Sequence, residues 1–268
     1  MNHYLKDFCP GNLQKPTFAR FFFACCSLLA YKSTVVTEDF FLNAGFKHVK
    51  LVECDGAQAY VVNNDETIVL AFRGTEIQER SDIWADMKIW KTKGRGKGEV
   101  HSGFKGELDK VWPPVESMLN QHKDKKLYIT GHSLGGAMAT LAASRITTKN
   151  LEEVFTYGAP RVGNRRFARS LRYSHTRLQN NNDIICRVPS RLFGYAHHVG
   201  PTYINHYGNV RRCSSFQRFK DQLRGRWRAL KKFQLFDGVY DHSLDKYCDK
   251  LHAQWLKEKE ERPDDRSS

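Results

Sequence analysis

The residues best placed by type and spacing to do chemistry lie in Gly131-His132-Ser133-Leu134-Gly135-Gly136. The pattern Gly-x-Ser-x-Gly suits a turn so sharp that side chains two residues either side of the serine would collide. Such a turn forces Ser133 into a strained conformation and lifts its hydroxyl above the edge of a sheet. The flanks agree. Leu127-Tyr128-Ile129-Thr130 reads as a short buried strand, and Ala137 to Ile146 (AMATLAASRI) as an Ala-rich helix. The N-terminus of that helix brings partial positive charge to the place where an oxyanion would develop.

A serine hydroxyl is a weak nucleophile until a base takes its proton and an acid orients that base. On a strand-turn-helix serine these follow in the order Ser, Asp, His. Asp183, in Asn180-Asn181-Asn182-Asp183, is the only acid between Glu153 and Asp221, so it is the candidate orienting acid. Three sites compete for the base: His197/His198, His206 and His242. A base that reaches the serine belongs in the loop after the last strand. His197 and His198 precede the strand expected over Thr202–His206, and His206 lies within it. His242, in Asp241-His242-Ser243-Leu244, follows both. It is the preferred base, with His198 as the alternative.

The elements that must carry these residues alternate. Phe18–Tyr31 reads as a buried opening helix, and Ala59–Asn63 and Thr67–Phe72 as a hairpin turning at Asn64-Asp65. Helical spacing follows over Glu107–His122, strand over Lys126–Thr130, helix over Gly135–Thr148 and strand over Val154–Tyr157. Then come a helix over Phe167–Leu171, strands over His175–Gln179 and Thr202–His206, and a long helix over Ser215–Gln234. Strands alternating with helices predict a mostly parallel central sheet with helices on both faces, an α/β enzyme layout.

Composition narrows the class. Of 268 residues 40% are hydrophobic, which excludes a disordered or fibrous chain. The longest apolar run, Phe21–Ala30, is half the roughly twenty residues of a spanning helix. The formal net charge is +14, concentrated in three stretches. Lys88–Gly98 has five basic residues and no acid, Arg161–Arg191 eight and one, Arg211–Lys232 nine and one. Such clusters suit an anionic partner, a membrane or a nucleic acid. The seven cysteines show no metal-ligand spacing, so no metal is expected. Together with the lack of a clear cleavage site after Phe21–Ala30, they suggest reduced thiols and a cytoplasmic location, peripheral to a membrane.

Several further segments extend the pattern: Phe72-Arg73-Gly74-Thr75, Val100-His101-Ser102-Gly103-Phe104, Tyr157-Gly158-Ala159-Pro160-Arg161-Val162-Gly163-Asn164, then NNNDIICRVP, YAHHVG and DHSLDKY. With GHSLGG and in this order, they make residues 20 to 256 resemble the class 3 (fungal-type) lipase family of the α/β-hydrolase superfamily. The resemblance implies an α/β-hydrolase fold with Ser133 as nucleophile, Asp183 as orienting acid and His242 as general base. It implies an oxyanion hole formed by Thr75 and the backbone N–H of Leu134, and no cofactor. Position independently supports Leu134, because the residue after the nucleophile donates in this fold. The family's lid falls on Glu76 to Trp90, where Ile83, Trp84 and Met87 form a small apolar face. That face would cover Ser133 when closed and meet lipid when open.

The expected organisation is an arm over residues 1–17, one hydrolase domain over 18–256 and a charged tail over 257–268. The expected activity is hydrolysis of acyl esters in tri-, di- or monoacylglycerol or phospholipid. The alternative is a lipase-like membrane-binding module without turnover. The expected partner is a lipid substrate at a membrane or droplet, anionic lipid included. Specific nucleic-acid binding is not expected, because no nucleic-acid motif accompanies the charge. Nothing in the sequence assigns an oligomeric state. In the expected helix, Phe216, Phe219, Leu223, Trp227, Leu230 and Phe233 form one stripe among cations. That stripe reads as core or as an interfacial face. Because the three basic stretches feed loops near the catalytic edge, a cationic face is expected around the mouth of the site.

Overall fold

Ten consecutive residues, Phe21–Ala30, all apolar but Ser27, need cover on every side, and they set one layer of the structure. The computed structural model describes residues 10–74, 90–205, 207–211, 217, 220 and 241–261. In it Pro16–Leu29 forms helix α1, begun by proline where a backbone N–H would lack a partner in any case. Phe21 through Leu29 are all buried, as a helix apolar all round must be. Phe23 stacks on Phe155 with ring centroids 4.4 Å apart, and Phe18 meets the edge of Trp255 at 5.1 Å. Ser27 Oγ donates to its own helix at the Phe23 carbonyl, 3.0 Å, and lies 2.8 Å from Thr130 Oγ1. The helix is thereby pinned to the strand that leads to Ser133.

In chain order the further helices are α2 (Thr34–Asn43), α3 (Ser102–Asn120), α4 (Leu134–Arg145), α5 (Arg165–Ser170) and α6 (Leu244–Glu261). The first six strands are β1 (His48–Cys54), β2 (Ala57–Asn63), β3 (Thr67–Phe72), β4 (Lys91–Lys93), β5 (Glu99–His101) and β6 (Lys126–His132). The rest are β7 (Leu151–Tyr157), β8 (Gly163–Asn164), β9 (His175–Asn180), β10 (Tyr195–Ala196), β11 (Thr202–Ile204) and β12 (Val210–Arg211). The main sheet has eight strands in the order β1-β2-β3-β6-β7-β9-β11-β12. From β3 through β11 every pairing is parallel, and antiparallel hairpins close both ends. This is the α/β-hydrolase fold. A small second sheet, β10-β8-β5-β4, lies beside it.

Alternation along each strand feeds two cores. Ile68, Leu70 and Phe72 of β3 join Leu108, Val111 and Met138 beneath α3 and α4. Val69 and Ala71 join Phe22, Phe23, Phe41 and Leu251 beneath α1, α2 and α6. Both faces of the central strands are therefore apolar, which is why those strands read as near-continuous hydrophobic runs.

Differences from the sequence reading have local causes. Helix α3 starts at Ser102 rather than Glu107, because His101 Nδ1 accepts the Phe104 N–H at 3.2 Å and caps it. Strand β11 stops at Ile204 rather than His206, because the chain turns back at Asn205–Asn209 to pair as β12. Strand β1 was not expected. It is an edge strand with most residues exposed or half-buried, so no apolar alternation marks it. Helix α6 runs on to Glu261, into the segment expected as tail. Among the described residues no helix is long and apolar enough to cross a membrane.

Phe23 is fully buried between α1 and the sheet. Phe23→Ala should therefore destabilise the protein by about 3–5 kcal/mol in urea unfolding. A loss under about 1 kcal/mol would show that α1 is not an integral layer of the core.

Candidate active site

The chain reverses from β6 to α4 within one residue. Ser133 sits between them at φ 56°, ψ −125°, a region that costs a non-glycine residue on the order of 1–3 kcal/mol. A Cβ on Gly131 would strike the Gly135 carbonyl, and a Cβ on Gly135 would strike the Phe72 carbonyl. The two glycines of the motif are thus required by backbone approaching backbone. The Ser133 N–H donates to the Tyr157 carbonyl at 3.0 Å, which ties the turn to the end of β7. Leu134 opens α4, so its N–H, like every first-turn N–H, has no acceptor within the helix. That N–H is available to an oxyanion.

Asp183 and His242 are 59 residues apart in sequence and in direct contact. His242 Nδ1 lies 2.9 Å from both carboxylate oxygens of Asp183 and donates to them. Asp183 is 0% exposed and His242 is 1% exposed. A buried carboxylate is tolerated only when its lone pairs are filled. Here Tyr247 Oη donates to Oδ2 at 2.6 Å, and the Ile185 N–H donates to Oδ1 at 2.9 Å. Tyr247 Oη in turn accepts the Asn180 N–H at 2.9 Å. The loop is locked from the other side by Asp241, whose Oδ2 accepts from Asn181 Nδ2 at 2.9 Å and from the Asn182 N–H at 3.0 Å.

With Nδ1 engaged by Asp183, the proton-accepting atom of His242 is Nε2. That atom and Ser133 Oγ are both buried and without a hydrogen-bond partner. Two contacts hold them in one neighbourhood. His132, next to the serine, lies ring to ring with His242 at 4.4 Å. Gly158, next to the Tyr157 carbonyl that holds Ser133, packs so tightly that a Cβ there would sit 2.7 Å from both Asp183 Oδ2 and the His242 ring.

His132 is itself held by a relay. Its Nε2–H donates to the His242 carbonyl at 2.7 Å, because a carbonyl can only accept, so Nδ1 accepts from the Tyr31 hydroxyl at 3.1 Å. Burial, reinforced by the neighbouring His242 ring, holds His132 well below its ordinary pKa. The competing histidines lie elsewhere. His197 Nε2 donates to the Cys186 carbonyl at 2.8 Å. His198 packs edge-on to Tyr173 at 5.0 Å and beside His175 at 5.8 Å. Burial, followed by Arg177, also holds His175 and His197 well below the ordinary histidine range. His206 lies outside the described residues.

Thr75 also lies outside them, as do Ile83, Trp84 and Met87 of the expected lid and, apart from Gln217 and Lys220, the helix expected over Ser215–Gln234. Gly74, the last described residue before Thr75, is packed against the His132 carbonyl and the Tyr31 hydroxyl, beside the elbow. Sequence reasoning missed Tyr31, His132, Asp241 and Tyr247. Tyr247 and Asp241 flank His242 closely in sequence, which was the available signal. Tyr31 gives none, because only the fold brings the end of α1 to β6.

Part of the basic stretches expected around the mouth lies elsewhere. Arg161 and Arg177 turn inward, and Arg161 Nη1 donates to the carbonyls of Arg187 and Pro189. Burial first, then Arg191 and Arg177, lowers the Arg161 pKa to about 10. Arg95, Lys97, Lys149, Arg165, Arg166 and Arg169 line a cleft beside Ala143 and Ser144, at the C-terminal end of α4. Ser133 is at the other end of that helix, roughly 18 Å away at 1.5 Å per residue.

Comparison with known proteins follows the same lines. Residues 69–193 match the family model described as lipase (class 3). The lipase of Rhizopus niveus is 36% identical over 182 residues, covering 60% of this chain and 45% of that protein. "Secreted mono- and diacylglycerol lipase 1" of Fusarium solani is 35% identical over 112 residues, covering 39% of this chain and 33% of that protein. The chain thus spans under half the length of these relatives. A solved triacylglycerol lipase, described as having a serine protease triad as its catalytic centre, aligns with TM-score 0.57 and 26% identity over 69% of this chain and 79% of that one.

These relatives correct the cytoplasmic expectation, since the Fusarium protein is a secreted lipase. The cysteines had suggested reduced thiols, but four of the five described ones, Cys25, Cys26, Cys186 and Cys248, are simply buried. Buried cysteine packs as a small hydrophobe and says little about compartment.

Two outcomes follow from this geometry. Gly158→Ala drives a Cβ into the Asp183–His242 pair at a backbone φ of +60°. Ester turnover should fall by about 10²-fold, the scale of a 1 Å misplacement, while circular dichroism stays native. Turnover within about twofold of wild type would refute the tight fit. The second outcome concerns pH. His132, His175 and His197 are held neutral in the fold, whereas the unfolded chain takes up these protons near 6.5. The folded values are depressed, so the unfolded state binds more protons and stability is full above 6.5. It should fall as pH drops, by up to about 1.4 kcal/mol per pH unit per histidine. Urea midpoints that stay flat between about pH 7 and pH 5 would contradict this.

Proposed function

We propose that this chain, whose residues 69–193 match the class 3 lipase family, is a member of that family and hydrolyses the acyl esters of glycerolipids through a serine nucleophile and an acyl-enzyme. The observation that carries the reading is the buried Asp183–His242 pair, whose outer nitrogen and the Ser133 hydroxyl are left without partners. A base oriented by a buried acid, next to a serine on a strained turn, is the arrangement that activates a hydroxyl for attack.

In this reading His242 Nε2 takes the proton from Ser133 Oγ as that oxygen bonds to the ester carbonyl carbon. The carbonyl oxygen becomes an oxyanion and accepts hydrogen bonds from the Leu134 N–H and from Thr75. Asp183 keeps Nδ1 protonated and stabilises the imidazolium that forms. The tetrahedral adduct collapses, the alkoxide of the glycerolipid leaves with the proton from His242 Nε2, and the acyl group stays on Ser133. Water then loses a proton to the same nitrogen as it attacks the acyl-serine carbonyl, and the adduct collapses by breaking the bond to Ser133 Oγ, which takes that proton back from His242 Nε2 and releases the fatty acid. Removing one oxyanion donor costs about 10²–10³ in rate in comparable enzymes.

The proposed partner is a lipid surface. Trp90, Leu192, Phe193 and Ile184 are exposed, at 69%, 94%, 48% and 41%. Trp90 closes the segment Glu76–Trp90 in which Ile83, Trp84 and Met87 would act as a lid, and Ile184 follows the orienting acid. Large apolar side chains exposed to water suit contact with acyl chains.

The test is hydrolysis of emulsified triacylglycerol, monoacylglycerol and phospholipid vesicles by wild type and by Ser133→Ala. The variant should lose roughly a million-fold in kcat. Wild-type activity no higher than the variant's would sink the proposal. If both proteins also bound vesicles equally, the alternative of a binding module would replace it.

A further inference from the structure

The cleft at the far end of α4 lies roughly 18 Å from Ser133, at 1.5 Å per residue along that helix, yet it concentrates cations of which most have no acidic partner among the described residues. Its volume is about 1170 Å³, and no acidic residue is among those that line it. Arg95 is paired with Glu116 at 3.1 Å. Lys97, Lys149, Arg165, Arg166 and Arg169 are exposed and form no ion pair among the described residues. They arrive from three separate segments: the β4–β5 loop, the loop after α4, and α5. Arg165 and Arg169 stand one turn apart and so share a face of α5.

Like charges gathered around one concavity repel each other and weaken the fold, and a bound anion would reverse that cost. Two features choose among anions. The site is a cleft walled by Ile146, Leu151, Leu171 and Tyr173, and a flat bilayer surface cannot fill it. Guanidinium groups on one helix face also present paired N–H donors that match phosphate oxygens two at a time. We infer that the cleft between the C-terminal end of α4, α5 and the β4–β5 loop binds a ligand bearing phosphate groups, held by Lys97, Lys149, Arg165, Arg166 and Arg169. The phosphate can come from a soluble molecule or from a lipid headgroup drawn into the cleft.

Calorimetric titration and thermal unfolding with inorganic pyrophosphate test this, at about 0.15 M salt to screen loose surface attraction. Saturable one-to-one binding and a raised Tm, beyond that given by sodium chloride at equal ionic strength, are expected. The double variant R165Q/R169Q should bind at least about tenfold more weakly, with its ester turnover unchanged. Should that variant misfold, K97Q/K149Q reports on the opposite wall. Co-sedimentation with phosphatidylcholine vesicles, with and without phosphatidic acid, separates the sources. Binding to phosphatidic acid that pyrophosphate displaces assigns the headgroup, and pyrophosphate binding alone assigns a soluble ligand. Absence of saturable binding to either probe, or equal affinity in wild type and variants, would overturn the inference. So would single-stranded RNA that binds and is not displaced by pyrophosphate. None of these readouts depends on ester hydrolysis, so their failure is separate from failure of the hydrolase reading.

Discussion

The reversal of direction at Ser133 is the constraint on which the rest of the structure depends. A strand cannot become a helix in one residue unless the backbones on both sides come into contact. The glycines at 131 and 135 are what that contact leaves room for. The strain at Ser133 has to be held by its surroundings. β6 is flanked by β3 and β7 in parallel register, α4 is buried against one core, and the Ser133 N–H is captured by the Tyr157 carbonyl. On the opposite face α1 is tied to Thr130, three residues before the serine.

A second demand comes from the carboxylate. Burying Asp183 removes it from water, and that cost is met by convergent donors from three parts of the chain: His242, Tyr247 on α6, and the Ile185 N–H. The arrangement also fixes the tautomer of His242, because the acid engages Nδ1 and leaves Nε2 as the acceptor. The His132 relay supports the same ring from its backbone side, with Tyr31 at the end of α1 completing it. Core packing and site geometry are therefore one problem here. The apolar helix that covers the sheet also delivers the hydroxyl that orients His132.

Charge is sorted differently by sequence and by fold. Arg161–Arg191 reads as one basic stretch, yet the fold divides it. Arg161 and Arg177 turn inward to carbonyl acceptors, and Arg165, Arg166 and Arg169 face water at the end of α4 remote from Ser133. The α5 helix turns Phe167 and Ala168 inward and leaves its arginines outside, whereas Arg161 precedes β8 and Arg177 lies in the largely buried strand β9. Linear charge density carries no information on that division.

The sequence by itself determined the elbow, the order of nucleophile, acid and base candidates, and the alternation of strands and helices that makes the sheet parallel. Each of these is local: a glycine spacing, a lone acid in a long stretch, an apolar period. Ile68, Leu70 and Phe72 against Val69 and Ala71 already describe a strand covered on both faces. Tertiary structure alone decided what depends on contact between distant residues. It brought the ring of His242, already the preferred base, against Asp183, recruited Tyr31, His132, Asp241 and Tyr247, and gathered Arg165, Arg166 and Arg169 at the end of α4 remote from Ser133. Hydrogen bonds between residues 59 or 101 positions apart leave no period in a sequence, because their geometry exists only once the sheet has brought the chain segments together.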